Sequence, residues 1–315
     1  MLKYWLLACW LVIHVTGLRA AEATVAMRAE QVAPHSWYVL GLPGAASQAN
    51  QGFMSNAGFV VTPAGVVVFD TLGTPALARK MIAEIRRITP QPIRRVIVSH
   101  WHADHYYGVQ AFKETGAEIW AHEAARSVLG SVAAAERLAQ RRDILAPWVG
   151  ADFKFVPADQ WLSGDVDFKL GGLHFKVRHV GPAHSPEDLV LFVEEDGVLF
   201  SGDLIFKGRV PFIGDADSKA WLVALDRLLA MQPRIMIPGH GPASSTPRDD
   251  LTLTRAYLVD VREKMARAVA DFQPFDEAYD AADWSRWSGL PAFAEAHRRN
   301  AFNTYLLMER EALAR

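Results

Sequence analysis

The chain has 315 residues, half of them apolar and 22% charged, a globular balance that excludes a disordered chain and provides for a sizeable core. Its 33 basic and 35 acidic residues leave a formal charge of −2, so nothing electrostatic favours a nucleic-acid partner. The one cysteine, Cys9, excludes a disulfide framework and a thiolate metal cluster, which leaves chemistry to histidine, carboxylate or hydroxyl.

Taken from the N-terminus, Lys3 and the mostly apolar run from Tyr4 to Gly17 read as an export signal. Fourteen residues interrupted by His14 are short for a span of ~20 residues. Small residues follow, with an A-x-A match at Ala21-Glu22-Ala23, and cleavage is expected after Ala20 or Ala23. Residues 1–23 are therefore assigned to a signal peptide that carries Cys9 away, and residues 24–315 to one domain with a helical C-terminal tail. No later apolar run reaches spanning length, so no membrane span is expected in the mature chain.

Strands come next. Ser36–Gly41, Phe53–Thr62 and Gly65–Asp70 have strand-like content, and Pro75–Arg87 places apolar residues at helical spacing. Arg94–His100 reads as a β-branched strand ending on a histidine, and Glu123–Arg142 as one helix with a long alanine face. Asp165–Val180 predicts two strands joined through Gly171-Gly172, and Leu189–Ser201 two more joined through Glu195-Asp196-Gly197. Lys219–Met231 predicts an amphipathic helix, Arg234–Pro238 a short strand and Pro247–Ala270 a long helix. The tail from Asp276 predicts further helix, broken near Gly289-Leu290-Pro291. Blocks of strands with helices between them imply an α/β protein whose packed sheets are covered on their outer faces.

Ser99-His100-Trp101-His102-Ala103-Asp104-His105 is the most informative stretch, with three histidines and a carboxylate within six residues after a strand. Neutral imidazoles and carboxylates suit zinc and related divalent ions. This H-x-H-x-D-H string resembles the signature of the metallo-β-lactamase superfamily. Four further segments resemble that family's motifs in order: Asp70 closing GVVVFD, Gly181-Pro182-Ala183-His184-Ser185, the strand-terminal Phe200-Ser201-Gly202-Asp203, and Pro238-Gly239-His240-Gly241-Pro242.

The resemblance implies a four-layer αβ/βα sandwich and a site for two Zn²⁺, iron and manganese being the alternatives. It gives one metal His100, His102 and His184, and the other Asp104, His105 and His240, with Asp203 shared and Asp70 standing behind the ligands. It further implies that a water between the ions is acidified to a pKa near ~7 and attacks an electrophilic carbonyl. Asp104 and Asp203 would orient that water or take its proton. Three residues near these motifs are candidates for substrate contact: Lys207 and Arg209 as clamps for a carboxylate or phosphate, and Tyr106 as a donor to an oxyanion. His35, His122, His174 and His179 lack partner motifs and read as structural, and His297 is left open because the tail can fold back toward the site. Ser244 and Ser245 have no triad partner.

An aspartate at position 203 departs from the cysteine or serine of the true β-lactamases, which weighs against antibiotic hydrolysis. Gln48-Ala49-Asn50-Gln51-Gly52, Asn56-Ala57-Gly58-Phe59, Gly202–Phe206, Arg209–Asp217 and Asn303–Glu309 resemble the quinoprotein relay system zinc metallohydrolases. That narrower resemblance implies periplasmic or secreted residence and a link to PQQ-dependent alcohol or aldehyde oxidation. The expectation is a periplasmic di-zinc hydrolase of a small ester, thioester or lactone. β-Lactamase-type hydrolysis, an iron-dependent sulfur oxygenase and a non-catalytic accessory protein of a quinoprotein pathway stay open as alternatives.

Overall fold

The computed structural model describes residues 21–214 and 216–314; the export-signal reading of residues 1–20, with Cys9 and His14, lies outside them. Twelve strands form two sheets. The first runs β1 (Ala29–Gln31), β2 (Ser36–Val39), β3 (Ala57–Thr62), β4 (Gly65–Phe69), β5 (Ile93–Ile97), β6 (Glu118–His122), β7 (Gln160–Leu162), in that spatial order. It is antiparallel from β1 to β4 and parallel from β4 to β7. The second sheet has the order β12 (Ile235–His240), β11 (Val198–Phe206), β10 (Leu189–Val193), β9 (Leu173–His179), β8 (Val166–Leu170), with only β11 and β12 parallel.

The helices are α1 (Pro75–Ile88), α2 (Ala103–Tyr106), α3 (Val109–Lys113), α4 (Arg126–Leu129), α5 (Val132–Leu145), α6 (Ser218–Ala230), α7 (Pro247–Ala270), α8 (Phe275–Ala281), α9 (Ser285–Ser288) and α10 (Phe293–Leu313). Side chains alternate across a strand, and the sequence uses that period to build three apolar layers. Val66 and Val68 of β4 and Val96 of β5 face α1 and α3, whereas Val67, Phe69 and Ile97 face the other sheet. In the second sheet Val190, Leu199 and Met236 pack against α6, α7 and α10, while Leu191, Phe200 and Ile237 meet the first sheet. The result is the expected helix–sheet–sheet–helix sandwich.

Most predicted elements form, some with different limits. The Phe53–Thr62 strand begins only at Ala57, because Asn50 turns the chain by accepting from the backbone N–H groups of Ser47 and Gly52. The strand expected to end on His100 stops at Ile97; the Asp70 carboxylate takes the Ser99 N–H at 2.7 Å, which turns the chain out of the sheet. The single helix expected over Glu123–Arg142 is broken, since Gly130 ends α4 and the Ser131 hydroxyl caps α5 by accepting from Ala134 N–H. Asp203 is not at a strand terminus, as β11 continues to Phe206 beside β12. The short β1, β6 and β7 were not anticipated. No helix among the described residues is long and apolar enough to cross a membrane.

Candidate metal centre

Every residue of the predicted ligand set arrives at one place, at the edge where the two sheets meet. His100 and His102 lie in the loop after β5; Asp104 and His105 occupy the single turn of α2, and His184 the loop between β9 and β10. Asp203 lies on β11 and His240 ends β12. His100, His102, His184 and Asp203 form one group, and Asp104, His105 and His240 a second, with candidate donor atoms within 4.8 Å of one another in each.

Asp203 faces both groups, one oxygen to each. Its Oδ2 is 3.5 Å from His184 Nε2 and 3.9 Å from His100 Nε2, while Oδ1 is 3.0 Å from His105 Nε2 and 3.3 Å from His240 Nε2. Asp104 Oδ2 lies 3.4 Å from His240 Nε2 and 3.7 Å from His105 Nε2. In the first group His102 Nδ1 and His184 Nε2 are 2.9 Å apart.

Hydrogen bonds on the far side of four of the five rings fix which nitrogen faces inward. Ser99 Oγ donates to Asp70, so it can only accept from His100 Nδ1–H at 2.8 Å, which leaves Nε2 as the lone pair. Asp70 accepts from His105 Nδ1 at 2.8 Å, the carbonyl of Phe212 from His184 Nδ1 at 3.1 Å, and that of Met54 from His240 Nδ1 at 2.7 Å. Four imidazoles thus present Nε2 inward, each oriented by an oxygen behind it, a pattern that raises donor strength and holds geometry at a metal. The second-row residues hold one another as well. Glu187 accepts from Trp101 N–H between two of the histidines, and Asp188 accepts from both the N–H and the hydroxyl of Ser185, beside His184.

The electrostatics of the two groups differ. Burial holds His100 and His102 well below the ordinary imidazole value, aided by their histidine neighbours, and burial also lowers His184. These three are neutral donors. For His105 and His240 burial works downward too, but Asp203 together with Asp104 outweighs it, and His105 also feels Asp70; His105 rises well above its usual value and His240 to about 9. Burial raises Asp203 and Asp104, yet the facing imidazoles prevail and keep both below the usual carboxylate range. The second group therefore holds protons where positive charge is demanded, a position a cation would take over.

A metal pair fits this pocket. His100 Nε2 is buried without a hydrogen-bond partner, and His105 Nε2 and Asp203 Oδ1 face each other at 3.0 Å without hydrogen-bond geometry, a cost that a cation between the donors would relieve. Five imidazoles and two carboxylates are a nitrogen–oxygen donor set suited to zinc.

The other candidates separate. Arg209 lies near the centre, its guanidinium over the rings of Phe206 and Phe212. Lys207 is directed elsewhere: its ammonium donates to the Ala243 carbonyl and sits 3.9 Å from Asp250. Tyr106 is buried with its hydroxyl donated to the Val156 carbonyl, so it offers nothing to an oxyanion. His297 is buried among aromatic rings and hydrogen-bonded to Tyr257, which makes it structural. Ser99, Glu187, Asp188 and Arg137 were missed. Ser99 adjoins the histidine motif and Glu187 and Asp188 the His184 loop, but Arg137 sits in a charged helix with no local signal.

The sequence model of the metallo-beta-lactamase superfamily matches residues 50–240. The chain is 27% identical over 244 residues to a linear primary-alkylsulfatase of a Pseudomonas species, covering 66% of this chain and 46% of that one. It is 24% identical over 178 residues to the 2,4-dinitroanisole O-demethylase subunit alpha of a Nocardioides species, covering 56% and 49%. The matches thus span about half the length of these relatives. A metallo-beta-lactamase from Pontibacter korlensis has the same fold, with a TM-score of 0.59 at 22% identity, covering 74% of this chain and 99% of that one.

Proposed function

Because the chain belongs to the metallo-beta-lactamase superfamily, a family of metallohydrolases, we propose that it is an exported di-zinc hydrolase of small ester-type bonds. The observation that carries this reading is Asp203, whose two oxygens face two separate donor groups, with His100 Nε2 buried and unpartnered beside it.

In this reading His100, His102 and His184 would hold one ion and Asp104, His105 and His240 the other, with Asp203 placed to serve both. Bound zinc supplies a Lewis acid for the electrophilic centre and lowers the pKa of a water to near ~7. The chain does the rest. Asp70 and Ser99 keep protons on His105 Nδ1 and His100 Nδ1, so the opposite nitrogens stay available. Asp104 and Asp203 would accept hydrogen bonds from an attacking water and orient it. Phe206, stacked on His240 at 5.0 Å, and Trp221, 5.4 Å from His184, shield one side from bulk solvent.

The substrate proposed is a small ester, thioester or lactone, and the likeness to an alkylsulfatase extends that class to sulfate esters. Periplasmic residence and a link to a PQQ-dependent oxidation pathway rest on the narrower sequence resemblance and on the N-terminal segment. Cleavage after Ala20 is the better-supported choice: Trp148 Nε1 donates to the Glu22 carbonyl at 3.0 Å and Lys80 Nζ to that of Ala23 at 3.2 Å, contacts that cleavage after Ala23 would discard.

One preparation tests the proposal. The exported form is purified, its first residue read, its metal counted by mass spectrometry, and an ester, thioester, lactone, sulfate-ester and β-lactam panel assayed beside Asp203→Asn and Asp104→Asn. Two zinc ions per chain, hydrolysis of an ester-type bond, a lower metal count in D203N and a loss of at least about 100-fold in both variants are expected. A chain that takes up no metal, or turnover indifferent to both substitutions, would overturn the reading.

A further inference from the structure

Two guanidinium groups approach the metal centre, one from each half of the sandwich, and among the described residues neither has a carboxylate within 4.0 Å. Arg137 belongs to α5, in the helical layer of the first sheet, and its guanidinium carbon lies 4.6 Å from the centroid of Trp101, the residue between His100 and His102. Arg209 lies in the loop after β11. Its guanidinium carbon is 5.9 Å from the Phe206 ring and 5.5 Å from the Phe212 ring. Phe206 stacks on His240, and the Phe212 carbonyl orients His184, so both arginines rest on residues that touch the ligands.

In both, the Nε–H is buried and makes no hydrogen bond among the described residues. A buried donor on a charged group is costly unless something pairs with it. Several arginines elsewhere in the chain find carboxylates instead: Arg262 holds Glu311 through two bonds, Arg255 holds Asp226, and Arg178 and Arg298 also hold aspartates. The charges that reach Arg137 are Arg141, Asp104 and Arg299; those that reach Arg209 are Asp203, Asp104 and Glu295. With Asp104 and Asp203 assigned to the metals, the exposed Glu295 is the remaining counter-charge to Arg209 among the described residues. A guanidinium lying over an aromatic ring is already oriented, and its edge is a fork that matches a carboxylate or sulfate.

We infer that Arg137 and Arg209 form a two-sided clamp for an oxyanion, so that the substrate carries a sulfate or carboxylate group beside the bond to be cleaved. The inference rests on the hydrolase reading above and narrows it: anionic esters are substrates, and neutral esters and lactones are poor ones. Lys207 takes no part, being held against Ala243 and Asp250.

Binding tests the clamp apart from catalysis. Octane-1-sulfonate, octanoate and octan-1-ol are titrated calorimetrically into the zinc-loaded exported protein and into the chelated protein. At least one of the two anions should bind the loaded protein at least about tenfold more tightly than the alcohol. Arg137→Gln and Arg209→Gln should each weaken that anion at least about tenfold, in the chelated protein as well, with unaltered circular dichroism. Arg209→Lys, which keeps the charge and loses the fork, should fall between wild type and R209Q. Equal binding of alcohol and anions, or variants that bind the anions as wild type does, would overturn the clamp. Metal count and hydrolysis, read on the same protein, report separately on the hydrolase reading.

Discussion

Around Asp203 the backbone closes in until only glycine fits. A Cβ added at Gly239 would sit 2.0 Å from Asp203 Oδ1 and 2.8 Å from the Gly202 carbonyl, both inside contact distance. The small residue between Pro238 and His240 is therefore space for a carboxylate on the neighbouring strand. Gly239→Ala is expected to displace Asp203, lower the metal count below that of wild type and reduce turnover at least about 100-fold, since a misplacement near 1 Å costs that much. Gly289→Ala, with nothing within 4 Å of the added carbon, serves as the neutral control. The ligands themselves were legible because five motifs survive as short strings in one linear order. Arg137 was not, because a cation in a helix of Arg, Glu and Gln looks solvated until folding lays it over Trp101. Tyr106 failed for the complementary reason: adjacency to His105 in sequence says nothing of where a helical side chain points, and here it reaches Val156.

Among the elements, α10 has the least obvious task. Asn300 accepts from Ile213 N–H at 2.9 Å and donates to the Pro211 carbonyl at 2.6 Å, while Asn303 donates to the Gly214 carbonyl at 2.7 Å. The C-terminal helix thus pins the loop that carries Arg209 and Phe212. His297, one turn earlier, belongs to the same packing. Asn300 donates to the Tyr257 hydroxyl, which leaves Tyr257 to donate to His297 Nδ1 at 2.8 Å, and Nε2 is left among Trp284 and Phe293 without a partner. Burial, aided by Lys264, drives this imidazole down to about 4. With a folded pKa below the unfolded value of about 6.5, its contribution to stability is complete above that value and is lost as pH falls toward about 4. The urea midpoint should therefore decline from pH 6.5 to 4, the decline should be shallower in His297→Gln, and the His297 proton resonance should titrate near 4. A midpoint that is flat over this range, or equally steep in H297Q, would contradict the assignment. The sequence placed the tail as helix with its break near Pro291, because Gly and Pro punctuate visibly, but not the further break over residues 282–284 between α8 and α9. It could not show that the tail folds onto the loop after Asp203, since hydrogen bonds from Asn300 to backbone leave no periodic trace.

At the scale of the whole molecule the ligands divide between the two halves: His100, His102, Asp104 and His105 follow β5 of the first sheet, and His184, Asp203 and His240 belong to the second. Protein bonds already cross this seam. Asn56 donates from its amide to the carbonyls of Pro238 and Gly241 and from its backbone to that of Gly239, and Asp196 accepts from His35 and Ser36. Metal ions at the proposed positions would tie the same halves together, so binding energy would appear as folding energy. Stripping with a chelator is expected to lower the melting temperature by several degrees and to restore it on zinc addition, measured by scanning calorimetry. An unchanged melting curve would place the ions outside the fold's cohesion.

With metal bound at the proposed positions, a carboxylate shared across that seam would make the protein's durability a property of its surroundings. Each tenfold rise in free zinc above the dissociation constant would add about 1.4 kcal/mol per filled position, with no change in sequence. A chain that leaves metal-rich surroundings for scavenged ones would then lose lifetime as well as activity, and the same aqueous ion proposed to equip it for chemistry would set how long it endures.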